Sequence, residues 1–216
     1  MKMTLYFQEF QERGMGMNSG LKAKADEILS ILCQIPGVKT CALYGSLAER
    51  KADDLSDIDI QIDVSGMDNG KFMLNLVELL KAHFEICYSD YAPSLVPEKY
   101  IVSIAVNRDN PFEIVDLWCT AQPHCTTVTR QQVMARNELY PHILKLWTAN
   151  LKHYARGNDC YDDILRMAGK IGVQGTEQVG EDELLEETVF WLEKNAESSF
   201  QRFISSCRTA FETLVG

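Results

Sequence analysis

The chain has 216 residues, 46% of them hydrophobic and 24% charged, a balance that supplies a packed core and excludes a disordered polymer. With 21 Lys and Arg against 31 Asp and Glu, its formal net charge of −10 argues against a nucleic-acid-gripping protein, which needs a basic surface. No apolar run approaches the ~20 residues that span a bilayer, and Met1 to Met17, with Glu9 and Glu12 and no apolar centre, does not read as a signal peptide.

Seven cysteines, an odd number with no C-x-x-C pair, point to a reducing, cytoplasmic setting without a disulfide framework. Cys119, His124 and Cys125 are three candidate zinc ligands where a structural site takes four.

In chain order, Leu5, Tyr6, Phe7 and Phe10 suggest one apolar helical turn before Gly14 and Gly16 interrupt. A helix is predicted over 21–34, with Leu21, Ala25, Ile28, Leu29 and Leu32 on one face and Pro36-Gly37 as its stop. A strand follows over 38–44, and Gly45-Ser46 opens a short turn or helix to Arg50. A second strand over 58–64 sets Ile58, Ile60, Ile62 and Val64 on one face and Asp57, Asp59, Gln61 and Asp63 on the other.

Residues 71–83 read as a helix buried through Phe72, Leu76, Leu79, Leu80 and His83, and 84–88 as a short strand. Strands over 100–107 and 112–118, joined by Arg108-Asp109-Asn110-Pro111, read as a hairpin. Thr129 with Gln132 fits a capping box. Pro141 ends or kinks that helix, and a further stretch runs to Tyr154, closed by Arg156-Gly157-Asn158. After a helix over 159–170 and a glycine-bearing loop over 171–180, one long amphipathic helix is predicted from Glu181 to Val215. The order predicts an α+β fold: a mixed β-sheet with flanking helices over 1–127, then an all-helical domain over 128–216.

The chemistry concentrates between Ala42 and Asp63. Asp57 and Asp59 share one face of a strand, and two adjacent carboxylates stay ionised together when a cation lies between them. Oxygen ligands of this kind suit Mg²⁺, which shares itself with substrate phosphates. Glycine at Gly45 lets a ligand approach the backbone, and the amides after it together with the Ser46 hydroxyl can hold an anion. A phosphate grip beside a metal pair describes phosphoryl or nucleotidyl transfer. Of two further carboxylates on the hairpin strand, Asp116 alternates with Val115 and Leu117 and points off the core face, and Glu113 points the other way, so Asp116 is the favoured third acid.

Tyr44-Gly45-Ser46, ten residues, then Asp57-Ile58-Asp59-Ile60 resembles the signature of the DNA polymerase β-like nucleotidyltransferase superfamily, and within it the size and helical C-terminal half look most like the antibiotic nucleotidyltransferases acting on aminoglycosides or lincosamides. The resemblance implies a nucleotidyltransferase-type sheet, Mg²⁺, ATP or another nucleoside triphosphate, and transfer of a nucleoside monophosphate to a hydroxyl with release of pyrophosphate. It implies that Gly45 and Ser46 hold the β- and γ-phosphates, that Asp57 and Asp59 bind the metals, and that Asp116 is the third carboxylate, nearest the acceptor. The sequence departs from the pattern at Leu47, where many members carry a basic residue; Arg50 or Lys51 would replace that charge.

The acceptor implied is a small hydroxylated molecule. Two other classes remain open: an antitoxin-like or regulatory module that binds or modifies a partner protein, with the long C-terminal helix serving that partner or a homodimer, and a catalytically silent binding fold. Glu138, Asp162 and Asp163 are candidate bases that read first as solvated helix residues. Asp53, Asp54 and Asp63 read as loop or surface acids, and Trp118, Trp147, Trp191, His83 and His153 as structural. Arg136-Asn137 with His142 matches the Arg-Asn-x₄-His pattern of a helical ribonuclease toxin family, but Pro141 inside it makes a chance match the default.

Overall fold

The computed structural model describes residues 20–93, 99–173 and 179–215. The apolar turn expected at 5–10 and part of the loop expected at 171–180 lie outside them.

Helix α1 spans 20–32, and the chain then enters strand β1 (Thr40–Tyr44), the short helix α2 (Gly45–Ala48) and strand β2 (Ile58–Asp63). Helix α3 (Asn69–Lys81) leads to β3 (Tyr88–Pro93), β4 (Lys99–Ala105) and β5 (Ile114–Thr120). Then follow α4 (Arg130–Met134), α5 (Leu139–Ala155), α6 (Tyr161–Gly169), α7 (Glu181–Asn195), a 3₁₀ turn (Ser198–Phe200) and α8 (Gln201–Val215). The five strands lie in the order β1-β2-β5-β4-β3, antiparallel except for the parallel pair β2–β5. The fold is α+β, with a mixed sheet, flanking helices and a helical C-terminal region.

Alternation along β2 sorts its side chains as the sequence requires. Ile58, Ile60 and Ile62 are fully buried and join Ala25, Ile28 and Leu32 of α1 and Phe72, Leu76 and Leu80 of α3 in one core. Asp68 caps α3 by accepting from Lys71 N, and it also accepts from the Thr127 backbone N–H and from the hydroxyls of Thr126 and Thr127. These bonds outweigh its burial and hold its carboxyl well below the usual carboxylate range. A second core is built by the helical region and takes in Tyr88, Ala105 and Ile114 from the opposite face of the sheet.

Four expectations are corrected. The buried stripe of α3 uses Met73 and Val77, whereas Leu79 is 44% exposed and His83 is exposed beyond the end of the helix. The strand expected at 84–88 begins only at Tyr88; Tyr88, Asp90 and Tyr91 are all buried, so β3 shows no alternation and a buried acid disguises it. Pro141 neither ends nor kinks a helix. It is the third residue of α5, in the first turn, where a missing N–H costs no hydrogen bond.

The single long C-terminal helix is two helices. Ala196 is extended (φ −74°, ψ 151°), and Arg208 of α8 donates back to both oxygens of Glu193 of α7 at 2.9 and 3.0 Å. Ala196 and Phe200 keep step with the apolar period across the break, which is why periodicity alone misses it. The apolar stripe, which suits a bundle or a partner, is largely taken up by the chain's own bundle: Leu185, Val189, Leu192, Phe203 and Cys207 are buried in its core, with Ile204 and Phe211 beside them.

The capping box of Thr129 and Gln132 forms as expected, and the seven cysteines are all free. Among the described residues, no helix is long and apolar enough to cross a membrane.

Candidate active site

The register of the sheet aligns one residue from each strand: Tyr44 opposite Asp59, Asp59 opposite Asp116, Asp116 opposite Ser103, and Ser103 opposite Asp90. Register partners on neighbouring strands project from the same face, ~4.8 Å apart. The sheet therefore carries a polar row containing three aspartates, and Asp57 enters just ahead of β2 on the same side. On one flank of the row lie Ile114, Ala105 and Tyr88, covered by the helical core. On the other lie Gln61, Trp118 and Ile101, exposed or half-buried, so the acids stand at the edge of an open shelf.

Gly45 touches this row directly. Its φ of +68° lies in the region that only glycine enters freely, and a Cβ there would stand 2.2 Å from Asp59 Oδ2. Tyr44 brings its ring edge-on to Trp118 at 4.7 Å, and its buried hydroxyl makes no hydrogen bond with any described residue. Burial, then the charges of Asp59, Asp116 and Asp57, push that hydroxyl far above its usual range.

Burial likewise raises Asp59, with Asp116 and Asp57 adding to the shift and Lys152 opposing it, to about 7. Asp116 is raised by burial and by Asp57, against the Ser103 hydroxyl, which donates to its Oδ1 at 2.5 Å, and against Lys145 and Lys152. Carboxylates held this close resist ionising together, which is the electrostatic condition a divalent cation relieves.

The basic side chains opposite come from α5 and its C-cap. His142 Nδ1 lies 3.1 and 3.2 Å from the two oxygens of Asp90, and Lys145 Nζ lies 3.5 Å from Asp90 Oδ2. Lys152 pairs with Asp57 and also reaches the Phe112 carbonyl at 3.5 Å. Arg156 donates to both oxygens of Asp53 at 2.7 and 3.2 Å. Steps of three, seven and four residues keep these basic side chains on one stripe.

The dimensions agree. From His142 to Lys152 the helix rises ~15 Å, and from β3 to β2 is three strand spacings, ~14 Å. Helix α5 thus lies across the strands with its basic side chains over the acids. Its other side, Ile143, Leu144, Trp147 and Leu151, is fully buried in the helical core.

The structure brings Gly45, Asp57, Asp59 and Asp116 together. Ser46 follows Gly45 in α2, and Arg50, at φ +58°, lies exposed just beyond α2. Leu47 is 7% exposed and belongs to the core, which leaves no room there for a basic side chain. Sequence reasoning missed Lys145, Lys152, Asp90 and Ser103. The cationic stripe of α5 was the available signal, blurred by the expected break at Pro141.

Of the other candidates, Asp53 is the partner of Arg156, and Asp63 accepts from the backbone and hydroxyl of Ser65. Asp162 and Asp163 are exposed in the first turn of α6, Asp163 pairing with Arg166, and Glu138 is exposed at the N-cap of α5. Trp147 is core, donating to the Leu185 carbonyl at 2.9 Å. Asn137 lies outside α5 and bonds both the N–H and the carbonyl of Tyr91, at 2.7 and 2.6 Å, so the Arg-Asn-x₄-His match is not carried on one helix.

Cys119 is buried and donates to the Asn69 carbonyl, whereas Cys125 is exposed. Among the described residues no group of three His, Cys, Asp or Glu side chains is set to hold a metal ion, and Asp57 is turned to Lys152. The donor set is nonetheless all oxygen, aligned on one row and cradled by Gly45, which suits a hard divalent cation once Asp57 is released.

No protein-family model and no curated protein matches the chain. Among solved structures, the chain is similar to the GLD-2/RNP-8 complex at 12% identity and a TM-score of 0.40, covering 93% of this chain and 79% of the other. It is also similar to the non-canonical poly(A) polymerase complex GLD-2–GLD-3 at 13% identity and a TM-score of 0.28, covering 89% of this chain and 55% of the other. At this identity and superposition, the likeness does not extend to activity.

Proposed function

We propose that the protein is a metal-dependent nucleotidyltransferase that moves a nucleoside monophosphate, AMP from ATP in the simplest case, onto a hydroxyl of a small molecule and releases pyrophosphate. The observation that carries this reading is the register of Asp59 with Asp116, beside Asp57 and against Gly45. Asp57 and Asp59 would hold Mg²⁺, with Asp116 as the third carboxylate. When bound, the metal lowers the pKa of the attacking hydroxyl and neutralises charge on the phosphates.

The chain's own residues do the rest. Gly45, Ser46 and Arg50 bind the β- and γ-phosphates, and Lys152 supplies the positive charge that Leu47 does not. Asp116 faces the acceptor hydroxyl and is the nearest carboxylate to take its proton. The acceptor oxygen then bonds to the α-phosphorus, the bond from that phosphorus to the bridging oxygen breaks, and pyrophosphate leaves. The open shelf beside Trp118 admits an acceptor next to Asp116.

Aminoglycosides and lincosamides are the first acceptors to test. Incubation with Mg²⁺, α-labelled nucleoside triphosphates and pools of hydroxylated small molecules is expected to give pyrophosphate and a labelled small product. Label appearing on a protein instead would favour a partner-modifying role. No product and no nucleotide binding with any of the four triphosphates would refute the reading.

A further inference from the structure

We infer that Lys152 couples metal binding to triphosphate binding: it holds Asp57 until a triphosphate arrives to take its ammonium group. The inference rests on the nucleotidyltransferase reading and concerns the order in which that site is filled.

The Lys152 side chain is 5% exposed and the Asp57 side chain 34% exposed. The lysine is therefore the deep partner and the carboxylate the rim partner. A ligand entering from solvent meets Asp57 first. Among the described residues Asp57 is the carboxylate in direct contact with Lys152; Asp59 and Asp116 feel its charge from farther off, and its other contacts are neutral groups of Phe112, the carbonyl at 3.5 Å and the ring at 5.8 Å.

A divalent cation that took Asp57 would leave a buried ammonium without its contacting carboxylate, next to a new double positive charge that also claims Asp59 and Asp116. The second lysine cannot give way in its place, because Lys145 is held by the buried Asp90. A triphosphate alone fares no better, since its negative charge would face Asp57, Asp59 and Asp116. Together the two ligands satisfy every partner: the metal takes the carboxylates and a phosphate oxygen takes Lys152.

Each ligand therefore raises the affinity of the site for the other by the same factor, as linkage requires. The exchange is electrically balanced. Lys152 remains charged and changes only its anion, from a carboxylate to a phosphate. Metal-free protein is thereby kept in a closed arrangement with α5 latched over the acids, and bare metal is held off.

The test uses Mn²⁺ in place of Mg²⁺ and the non-hydrolysable α,β-methylene forms of the four nucleoside triphosphates. Protein-bound Mn²⁺ is read by water-proton relaxation enhancement on the full chain. Wild type is expected to bind Mn²⁺ at least tenfold more tightly when an analogue is present. Lys152→Met is expected to bind Mn²⁺ alone at least fivefold more tightly than wild type does, with the gain from the analogue reduced below threefold.

Lys152→Gln, which keeps a polar group at the position, is expected to behave like Lys152→Met, and circular dichroism checks that both variants fold. Equal Mn²⁺ affinity of wild type with and without analogue would overturn the inference and leave the metal site standing. So would variants that retain the wild-type coupling. Failure of wild type to bind Mn²⁺ under every condition would overturn the nucleotidyltransferase reading itself, and the inference with it.

Discussion

The sheet and α5 line the same site, but they position their charges by different rules. On the sheet, strand register aligns Asp59 and Asp116, and Asp57 lies two residues from Asp59 in sequence. On α5, helical period aligns His142, Lys145, Lys152 and Arg156, each paired with an acid from the N-terminal part of the chain. The acids alone repel one another, and Lys152 alone would be a charge buried without a partner. Acids that bind a metal follow a short local pattern and can be read from it. Their counter-charges arrive from a distant helix, so only the fold reveals them.

The sharpest way to break the comparison is to remove one acid. Asp57→Asn or Asp59→Asn is expected to cost several kcal/mol of transition-state stabilisation, on the order of 10³-fold in rate, measured by single-turnover pyrophosphate release. A loss below about tenfold would mean that the row is not the reacting centre.

The support of α5 is tested next. Trp147 is fully buried on the side of α5 away from the sheet, so Trp147→Ala is expected to destabilise the protein by ~3–5 kcal/mol. Urea titration measures this cost, and a cost near zero would show that α5 is not held by its apolar face.

Gly45→Ala is expected to keep most of the stability and lose most of the activity. Its Cβ would collide with Asp59 Oδ2, and its φ of +68° disfavours any side chain. Unchanged metal affinity in that variant would remove Gly45 from the site.

Asp68 lies outside the row and marks the contrast. Asp68→Ala is expected to cost ~1–2 kcal/mol through the lost cap of α3 and its ties to Thr126 and Thr127, with transfer per folded molecule unchanged.

A pH dependence tests the repulsion within the row. Asp59 is raised from 3.8 to about 7 in the folded protein. Below pH ~4 it is protonated in both folded and unfolded chains. As pH rises toward about 7 the unfolded chain ionises while the folded one keeps its proton, so stability falls across that window and levels off above it. Melting temperatures measured without metal from acid to neutral pH are expected to show this fall in wild type and a shallower one in Asp59→Asn. Equal slopes would contradict the burial and charge repulsion assigned to Asp59.

Much of the sheet was legible because β2 alternates cleanly and Gly45-Ser46 marks the turn ahead of the acids. Strand β3 was not, because it is covered on both faces and carries a buried acid, Asp90, whose partners His142 and Lys145 lie 52 and 55 positions away. The break between α7 and α8 was hidden for the opposite reason: an uninterrupted apolar period concealed a chain reversal that the pairing of Arg208 with Glu193 makes plain. Helix α5 shows how a correct local rule can mislead, since Pro141 does mark a boundary but starts the helix instead of ending one.

The most direct test of the site is crystallographic. Crystals grown with Mn²⁺ and a non-hydrolysable nucleoside triphosphate would be measured for anomalous scattering. The account expects Mn²⁺ bound to oxygens of Asp57 and Asp59 at about 2.0–2.2 Å, with the triphosphate against Gly45-Ser46 and Lys152 moved from Asp57 to a phosphate oxygen. A triphosphate bound elsewhere, with no anomalous peak at these aspartates and Lys152 still paired with Asp57, would contradict it.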